Sequence, residues 1–206
     1  ENEGIPNAHP YLNLGSAGQS MALSAVAAQK LLGAHLSGSW VAMGHSQGGH
    51  AALAAAQFSD LAKSLAPKLQ YKGAVAVAPA SNLVDALNLM SQSIAEEPLA
   101  LKSFVQLATL NFYASYLVQG SSFARKPIDP KIVFGARMQE VHKKANTCLD
   151  AYAKTVSEDI AVYVQKRRPA TEYTGVITAE INKPEVSSIL KAMKPGTVKI
   201  PGKTLI

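Results

Sequence analysis

Residues 40–58 contain the sequence feature that most constrains what this chain can fold into. Residues 40–43 form an apolar run typical of a buried strand. The next five residues, Gly44-His45-Ser46-Gln47-Gly48, place a serine between two glycines with one residue on either side of it. Residues 50–58 are rich in alanine, which favours a closely packed helix. A strand, a tight turn centred on a serine and a helix together predict a nucleophile elbow.

The elbow predicts a chemical role for each of its residues. Ser46 is expected in a strained backbone that exposes its Oγ at the carboxyl edge of a sheet. We expect side chains at Gly44 and Gly48 to collide with the strand and the helix, which glycine avoids. The backbone N–H of Gln47, at the start of the helix, is predicted to stabilise a developing oxyanion. His45 is predicted to point away from the reacting group. The alternative interpretation is a plain glycine-serine loop.

The elements around the elbow predict an α/β fold. Residues 17–32 carry apolar side chains at helical spacing and stop before a glycine. A short helix is expected at 60–65, followed by a second apolar strand at 72–78. Buried strands separated by helices predict a parallel sheet covered on both faces. The apolar run at 204–206 predicts the beginning of a further buried strand.

The middle of the chain predicts helices. Between residues 82 and 168, apolar stripes recur at helical spacing, at 83–90, 99–117, 132–141 and 147–164. We interpret this block as a helical lid over the carboxyl edge of the sheet. Its aromatic and leucine stripes are interpreted as the lid core, with a lipid-facing surface as the alternative. A short helix is expected at 183–193. The predicted organisation is a core at 1–82, a lid at 83–194 and a return to the core at 195–206.

The distribution of charge limits the classes of binding partner that the sequence predicts. The 206-residue chain has a formal net charge of +6. Residues 1–100 hold four Lys/Arg against six Asp/Glu, a net of −2, and residues 101–206 hold the other sixteen against eight, a net of +8. The one tight basic cluster, Lys166-Arg167-Arg168, is interpreted as a solvated face, with contact to an anionic membrane surface left open as a secondary possibility. No RNA-binding pattern accompanies it, so no nucleic-acid partner is predicted.

The single cysteine and the short apolar runs give no support for an internal disulfide, a cysteine metal cluster or a membrane-spanning helix. Cys148 can form neither an internal disulfide nor a metal cluster, and we interpret it as a small buried residue on a helix. No metal or other cofactor is predicted. No apolar run reaches the length of a membrane-spanning helix.

A serine in an elbow requires a histidine to accept its proton and a carboxylate to orient that histidine. In elbow hydrolases the acid and then the histidine follow the serine. His50 lies on the elbow helix and is predicted to serve packing, while His9, His35 and His45 precede Ser46. His142 is the remaining candidate base, although a surface histidine on a helix is the favoured interpretation. No strand-end position singles out one of the downstream aspartates Asp60, Asp85, Asp129, Asp150 and Asp159.

These observations predict that part of the catalytic machinery lies outside the given sequence. The triad aspartate and histidine are expected on segments after Ile206. The second oxyanion donor is expected on a loop before the first residue, because nothing ahead of Gly15 resembles the required strand. The chain is thus predicted to be the middle of an elbow hydrolase, incomplete at both ends.

Three segments together resemble one known family. Residues 10–20, 38–53 and 72–80 resemble the secretory-lipase-like branch of the α/β-hydrolase superfamily, whose members carry His-Pro-Tyr, a serine-rich helix start and the elbow Gly-His-Ser-Gln-Gly-Gly. The resemblance covers residues 4–82 and extends to the lid in general character. It implies an α/β-hydrolase fold, with Ser46 as nucleophile and Gln47 as oxyanion donor. It also implies ester or acylglycerol substrates, and a secreted or periplasmic location.

The predicted function is hydrolysis of carboxylic esters through an acyl-enzyme on Ser46. A peptidase or an acyltransferase on the same fold is an alternative, because a fold does not determine its chemistry. If the polypeptide ends at Ile206, a non-catalytic remnant or binding module that needs a partner chain is the other alternative. The sequence predicts neither the acyl-chain length of the substrate nor the oligomeric state.

Overall fold

The computed structural model describes residues 9–144, 149–197 and 202–205. The chain divides into two compact units. The helical unit consists of Glu1–Tyr11 and Asn82–Lys191, and the sheet unit of Leu12–Ser81 and Ala192–Ile206. None of the helices in the described ranges combines the length and the apolar character needed to cross a membrane. The prediction made for Cys148 falls outside the described residues.

The sheet unit alternates helices and strands. Its elements are α1 (Leu14–Leu32), β1 (Ser39–His45), α2 (Gln47–Ala56), α3 (Ser59–Leu65), β2 (Gln70–Val77) and β3 (Lys203–Leu205), with a short 3-10 turn at Gly33–His35. Helix α1 begins three residues before the predicted start because Asn13 caps it. The Asn13 Oδ1 accepts a hydrogen bond from the backbone N–H of Ser16 at 3.0 Å.

The prediction of a mixed α/β fold with parallel strands is confirmed. The strands form one sheet in the order β1-β2-β3, and both neighbouring pairs are parallel. His45 at the end of β1 lies opposite Val77 at the end of β2, so the elbow begins where the carboxyl ends of the two strands meet. At Gly73 a Cβ would lie 2.1 Å from the Lys203 carbonyl oxygen, so glycine is what permits β3 to approach β2.

The prediction that the sheet is covered on both faces is wrong for the described residues. Helices α1 and α2 pack on the face of Ala42, where small side chains permit close approach. Alternate residues on the strands remain exposed, with exposed fractions of 55% for Val41, 71% for Met43 and 50% for Val77. Successive side chains of a strand point to opposite faces, so helices packed on one face leave the other uncovered. Similarly, a strand is present at Lys203–Leu205 but is exposed, not buried as predicted.

The helical unit contains the predicted run of helices. They are α4 (Leu83–Glu96), α5 (Leu101–Ser121), α6 (Pro130–Val133), α7 (Ala136–His142), α8 (Leu149–Val164), α9 (Thr178–Ile181) and α10 (Pro184–Ala192, whose last residue belongs to the sheet unit), with a 3-10 turn at Ala170–Glu172. No strand is assigned among the described residues of 82–168. The core interpretation of the stripes is confirmed on α5, where Phe104, Leu107 and Leu110 are buried.

One predicted helix is divided in two. The stripe at 132–141 forms α6 and α7, which are separated at Gly135. There the backbone leaves the helical pattern to bond with a neighbouring segment: the Gly135 N–H donates to the Gly175 carbonyl at 2.8 Å. A Cβ on Gly135 would lie 2.8 Å from the Thr174 carbonyl oxygen, so this approach also requires glycine. Periodicity could not predict the break because the partner segment is distant in sequence.

Candidate active site

Ser46 occupies the junction between β1 and α2 in a backbone conformation that side chains rarely adopt. Its φ is 53° and its ψ is −115°. Such a residue costs on the order of 1–3 kcal/mol and persists only where its surroundings determine it. Here three backbone hydrogen bonds hold the turn: the Ser46 N–H donates to Val77 O at 2.9 Å, and the Ser46 carbonyl accepts from His50 N at 3.0 Å and Ala80 N at 3.3 Å. The expected strained turn is therefore present.

The glycines of the elbow differ in what they permit. A Cβ on Gly44 would lie 2.2 Å from the backbone carbonyl atoms of Gly48, so the predicted collision is confirmed there. A Cβ on Gly48 would meet nothing within 4 Å, so the predicted collision at that glycine is wrong. The second close approach is at Gly49, where a Cβ would lie 3.1 Å from Val77 O and from the Cα of Pro79. Gly49 in the first turn of α2 therefore faces the end of β2, and α2 packs on the sheet at this glycine.

The elbow places two polar groups side by side at the end of β1. Ser46 stands at the N-cap position of α2, yet its side chain makes no capping hydrogen bond. Ser46 and Gln47 are half-buried and His45 is exposed. The N–H of Gln47 belongs to the first turn of α2, whose N–H groups have no acceptor within the helix. A hydroxyl and a backbone N–H donor therefore lie on adjacent residues at the carboxyl edge of the sheet.

The structure brings no described histidine or carboxylate into hydrogen bonding with the Ser46 hydroxyl. His50 is buried, in line with its predicted packing role, and its Nε2 lies 2.9 Å from the Met193 carbonyl oxygen. His35 and His9 are exposed, and the His9 ring contacts Tyr11 at a centroid distance of 4.5 Å.

The interpretation of His142 as a surface residue is wrong. Its side chain is buried in the helical unit, where Nδ1 is hydrogen-bonded to the Ser115 hydroxyl. Ser115 Oγ also accepts from the Tyr152 hydroxyl at 2.6 Å, and the Phe134 ring lies 5.0 Å from the imidazole. Because the Tyr152 hydroxyl donates a hydrogen bond to Ser115 Oγ, the Ser115 hydroxyl can direct its own hydrogen to His142 Nδ1. The helical spacing from Met138 to His142 is the sequence signal that could have revealed this buried position.

Burial of this cluster changes its proton affinities. Desolvation lowers the pKa of His142 to about 4, because a charged imidazole would lose its hydration. Desolvation also raises the pKa of Tyr152 to about 12, with the Ser115 hydrogen bond opposing that shift. All three side chains are therefore neutral near pH 7, as a buried hydrogen-bonded network requires.

We predict that acidification destabilises the helical unit through His142. The folded-state pKa lies below the unfolded value of 6.5, so the unfolded chain binds the extra proton first. This stability is complete above about pH 6.5 and declines as the pH falls toward 4, by up to about 3 kcal/mol. The measurement is urea unfolding between pH 7 and pH 4.5, followed by the near-ultraviolet dichroism of the tyrosines.

Two variants test whether His142 causes that pH dependence. His142→Asn retains an acceptor at the position of Nδ1 but does not titrate, so its unfolding free energy should lack this component. His35→Asn alters an exposed histidine and should keep the wild-type slope. Equal slopes for the His142→Asn variant and the wild-type protein would contradict the assignment.

The downstream aspartates have local structural partners or exposed positions. Asp159 bonds Arg137 Nε at 2.7 Å and the Tyr173 hydroxyl at 2.7 Å. The hydrogen bond to Asp159 raises the pKa of Arg137. Asp129 caps α6 by accepting from the Lys131 N–H. The others lie exposed in the first turns of helices: Asp60, Asp85 and Asp150.

The basic cluster is exposed as predicted. Lys166, Arg167 and Arg168 lie on the surface of the helical unit, and Arg168 forms an ion pair with Glu172 at 2.6 Å. In the described ranges, no group of three or more His, Cys, Asp or Glu residues is arranged to hold a metal ion.

Comparisons with known proteins add no relative. No protein-family model, no curated protein and no solved structure matches the chain significantly. The functional proposal therefore depends on the geometry of the elbow and on the resemblance of its sequence.

Proposed function

We propose that this chain is a serine hydrolase of the α/β-hydrolase fold that cleaves carboxylic esters through an acyl-enzyme on Ser46. The observation that carries the proposal is the Ser46 backbone, at φ 53° and ψ −115°, between a parallel strand and a helix. This conformation is the one that a nucleophile elbow requires in order to present the serine hydroxyl. The resemblance of residues 4–82 to the secretory-lipase-like branch favours an ester as the substrate.

The proposed reaction has two stages. The Ser46 Oγ attacks the ester carbonyl carbon while its proton passes to a histidine base, and a tetrahedral oxyanion forms. The Gln47 N–H donates to that oxyanion, an interaction worth about 3 kcal/mol in comparable sites. Collapse breaks the ester C–O bond, and the alcohol leaves with the proton. Water then attacks the acyl-enzyme and releases the acid, so the chemistry needs no cofactor.

The described histidines that follow Ser46 have other partners. His50 Nε2 is bonded to Met193 O, and His142 Nδ1 is bonded to Ser115. We therefore assign the nucleophile and the oxyanion donor to this chain without assigning the base to either histidine. The predicted position of the acid and the base, after Ile206, stays a prediction.

Covalent labelling tests the proposal. In a preparation that turns over esters, a fluorophosphonate is expected to add once per folded chain and to be found by peptide mapping on Ser46, because only an activated serine reacts readily with this probe. Urea-unfolded protein is the control and should remain unlabelled. An adduct on another serine, such as the buried Ser115, would contradict the assignment. Turnover of p-nitrophenyl esters, peptides and acyl acceptors by the labelled and unlabelled protein then separates an esterase from a peptidase or an acyltransferase.

A further inference from the structure

An early crossing between the two units follows Tyr11, and after Ser46 the chain crosses between them twice more. Next to each of these two later crossings, a residue is hydrogen-bonded to the elbow or its helix. The chain leaves the sheet unit after Ser81 and returns to it at Ala192. Just before it leaves, the Ala80 N–H donates to the Ser46 carbonyl at 3.3 Å. Just after it returns, the Met193 carbonyl bonds His50 Nε2 at 2.9 Å across 143 residues of sequence. Both bonds lie within the sheet unit.

His50 connects the point of return to Ser46. Its backbone N–H donates to the Ser46 carbonyl at 3.0 Å, while its side chain reaches Met193. The imidazole is 1% exposed. A carbonyl can only accept, so Nε2 carries the proton and Nδ1 is left as an unprotonated acceptor. Nδ1 is buried without a hydrogen-bond partner among the described residues.

The surroundings of the ring keep it in this one form. Burial lowers the pKa of His50, with the hydrogen bond to Met193 opposing that shift, so the ring is neutral near pH 7. A neutral ring in a closely packed site has one donor, and that donor has one acceptor. The hydrogen bond is thus a fixed connection within the sheet unit, from His50 on α2 to Met193 in the return segment.

We propose that His50 is a positioning residue that anchors the return segment, residues 192–197, to the elbow helix and thereby holds Ser46 in its reactive conformation. The strained Ser46 turn depends on backbone bonds that converge on its carbonyl, and His50 supplies one of them. Losing the side-chain anchor leaves the buried Met193 carbonyl without its donor, which favours opening of the return segment. The anchoring stands independently of catalysis, whereas the effect on Ser46 reactivity rests on the proposed function.

Four variants test the anchor. His50→Leu removes the donor and keeps apolar volume, while His50→Gln keeps an N–H at about the reach of Nε2. His50→Asn keeps the amide but is one methylene too short, and His35→Gln changes an exposed histidine of the same unit. Two quantities are measured on the full chain: hydrogen exchange of residues 192–197, and the rate of fluorophosphonate addition at Ser46.

The expected results separate anchoring from simple packing. His50→Leu and His50→Asn should raise exchange in residues 192–197 about 10-fold or more and slow labelling about 10-fold. His50→Gln should recover most of both values, and His35→Gln should equal the wild-type protein. If His50→Leu fails to fold, comparison of His50→Gln with His50→Asn still tests the anchor. Both side chains carry an amide, and they differ only in how far its N–H reaches.

Two outcomes would overturn the inference. Unchanged exchange in residues 192–197 for His50→Asn would show that the hydrogen bond anchors nothing, and equal behaviour of the Gln and Asn variants would reduce His50 to packing. A wild-type protein that the probe does not label at Ser46 counts against the proposed function. In that case hydrogen exchange in residues 192–197 still tests whether His50 anchors the return segment, so the two failures are distinguishable.

Discussion

Replacing Ser46 with alanine is expected to lower ester turnover at least about 10³-fold and to leave the fold unchanged. Turnover falls because the acyl-enzyme cannot form without the hydroxyl, and removing the nucleophile of a serine hydrolase costs a larger factor than most other single changes. The fold should persist because the Ser46 side chain makes no capping hydrogen bond. Alanine also has the same Cβ in the same strained backbone. The measurement is kcat/KM on a p-nitrophenyl ester, in a preparation that is active when Ser46 is in place, with far-ultraviolet dichroism as the check on folding.

A matched serine makes this result specific. Ser64 is exposed on α3, and its hydroxyl donates to the Leu61 carbonyl within the same helix. Ser64→Ala should therefore retain wild-type kcat/KM within a factor of about two. Ester turnover that survives in folded Ser46→Ala protein would remove the proposed nucleophile. Loss of turnover together with loss of dichroism would instead show that Ser46 has a structural role that the hydrogen bonds do not indicate.

The second large prediction concerns alanine substitutions at Gly44 and Gly48, for which we expect opposite effects on stability. Gly44→Ala should destabilise the sheet unit by about 3 kcal/mol or more, because its Cβ would lie 2.2 Å from the Gly48 backbone and a rigid strand would have to separate from a rigid helix. Gly48→Ala should be neutral or stabilising by up to about 1 kcal/mol, because its Cβ enters open space and alanine favours a helix.

Trp40 provides the measurement for both variants. It is the single tryptophan, it lies on β1, and its ring packs against Tyr71 at a centroid distance of 4.8 Å. Urea unfolding followed by its fluorescence therefore reports on the sheet unit. Fluorophosphonate addition should be slowed in Gly44→Ala and retained in Gly48→Ala. Equal loss of stability in both variants would mean that the junction of β1 and α2 is packed differently from this structure.

Local sequence determined the elements and the elbow of this protein. The apolar runs, the alanine-rich helix and the serine between glycines are neighbours in the chain, so their consequences follow from short-range geometry. For that reason the strand, the turn and the helix around Ser46 could be predicted, as could the second strand and the helices of the middle region. The resemblance added a substrate class, which short-range geometry alone does not supply.

Tertiary structure decided which of those residues meet. Burial of His142 with Ser115 and Tyr152, the break at Gly135 and the ion pair of Arg137 with Asp159 each join segments that are distant in sequence. The same holds for the two close approaches of the elbow, since sequence pointed to Gly48 whereas the packing of α2 on β2 places the second at Gly49. Contacts between distant segments depend on how whole elements pack, and local periodicity carries no information about that.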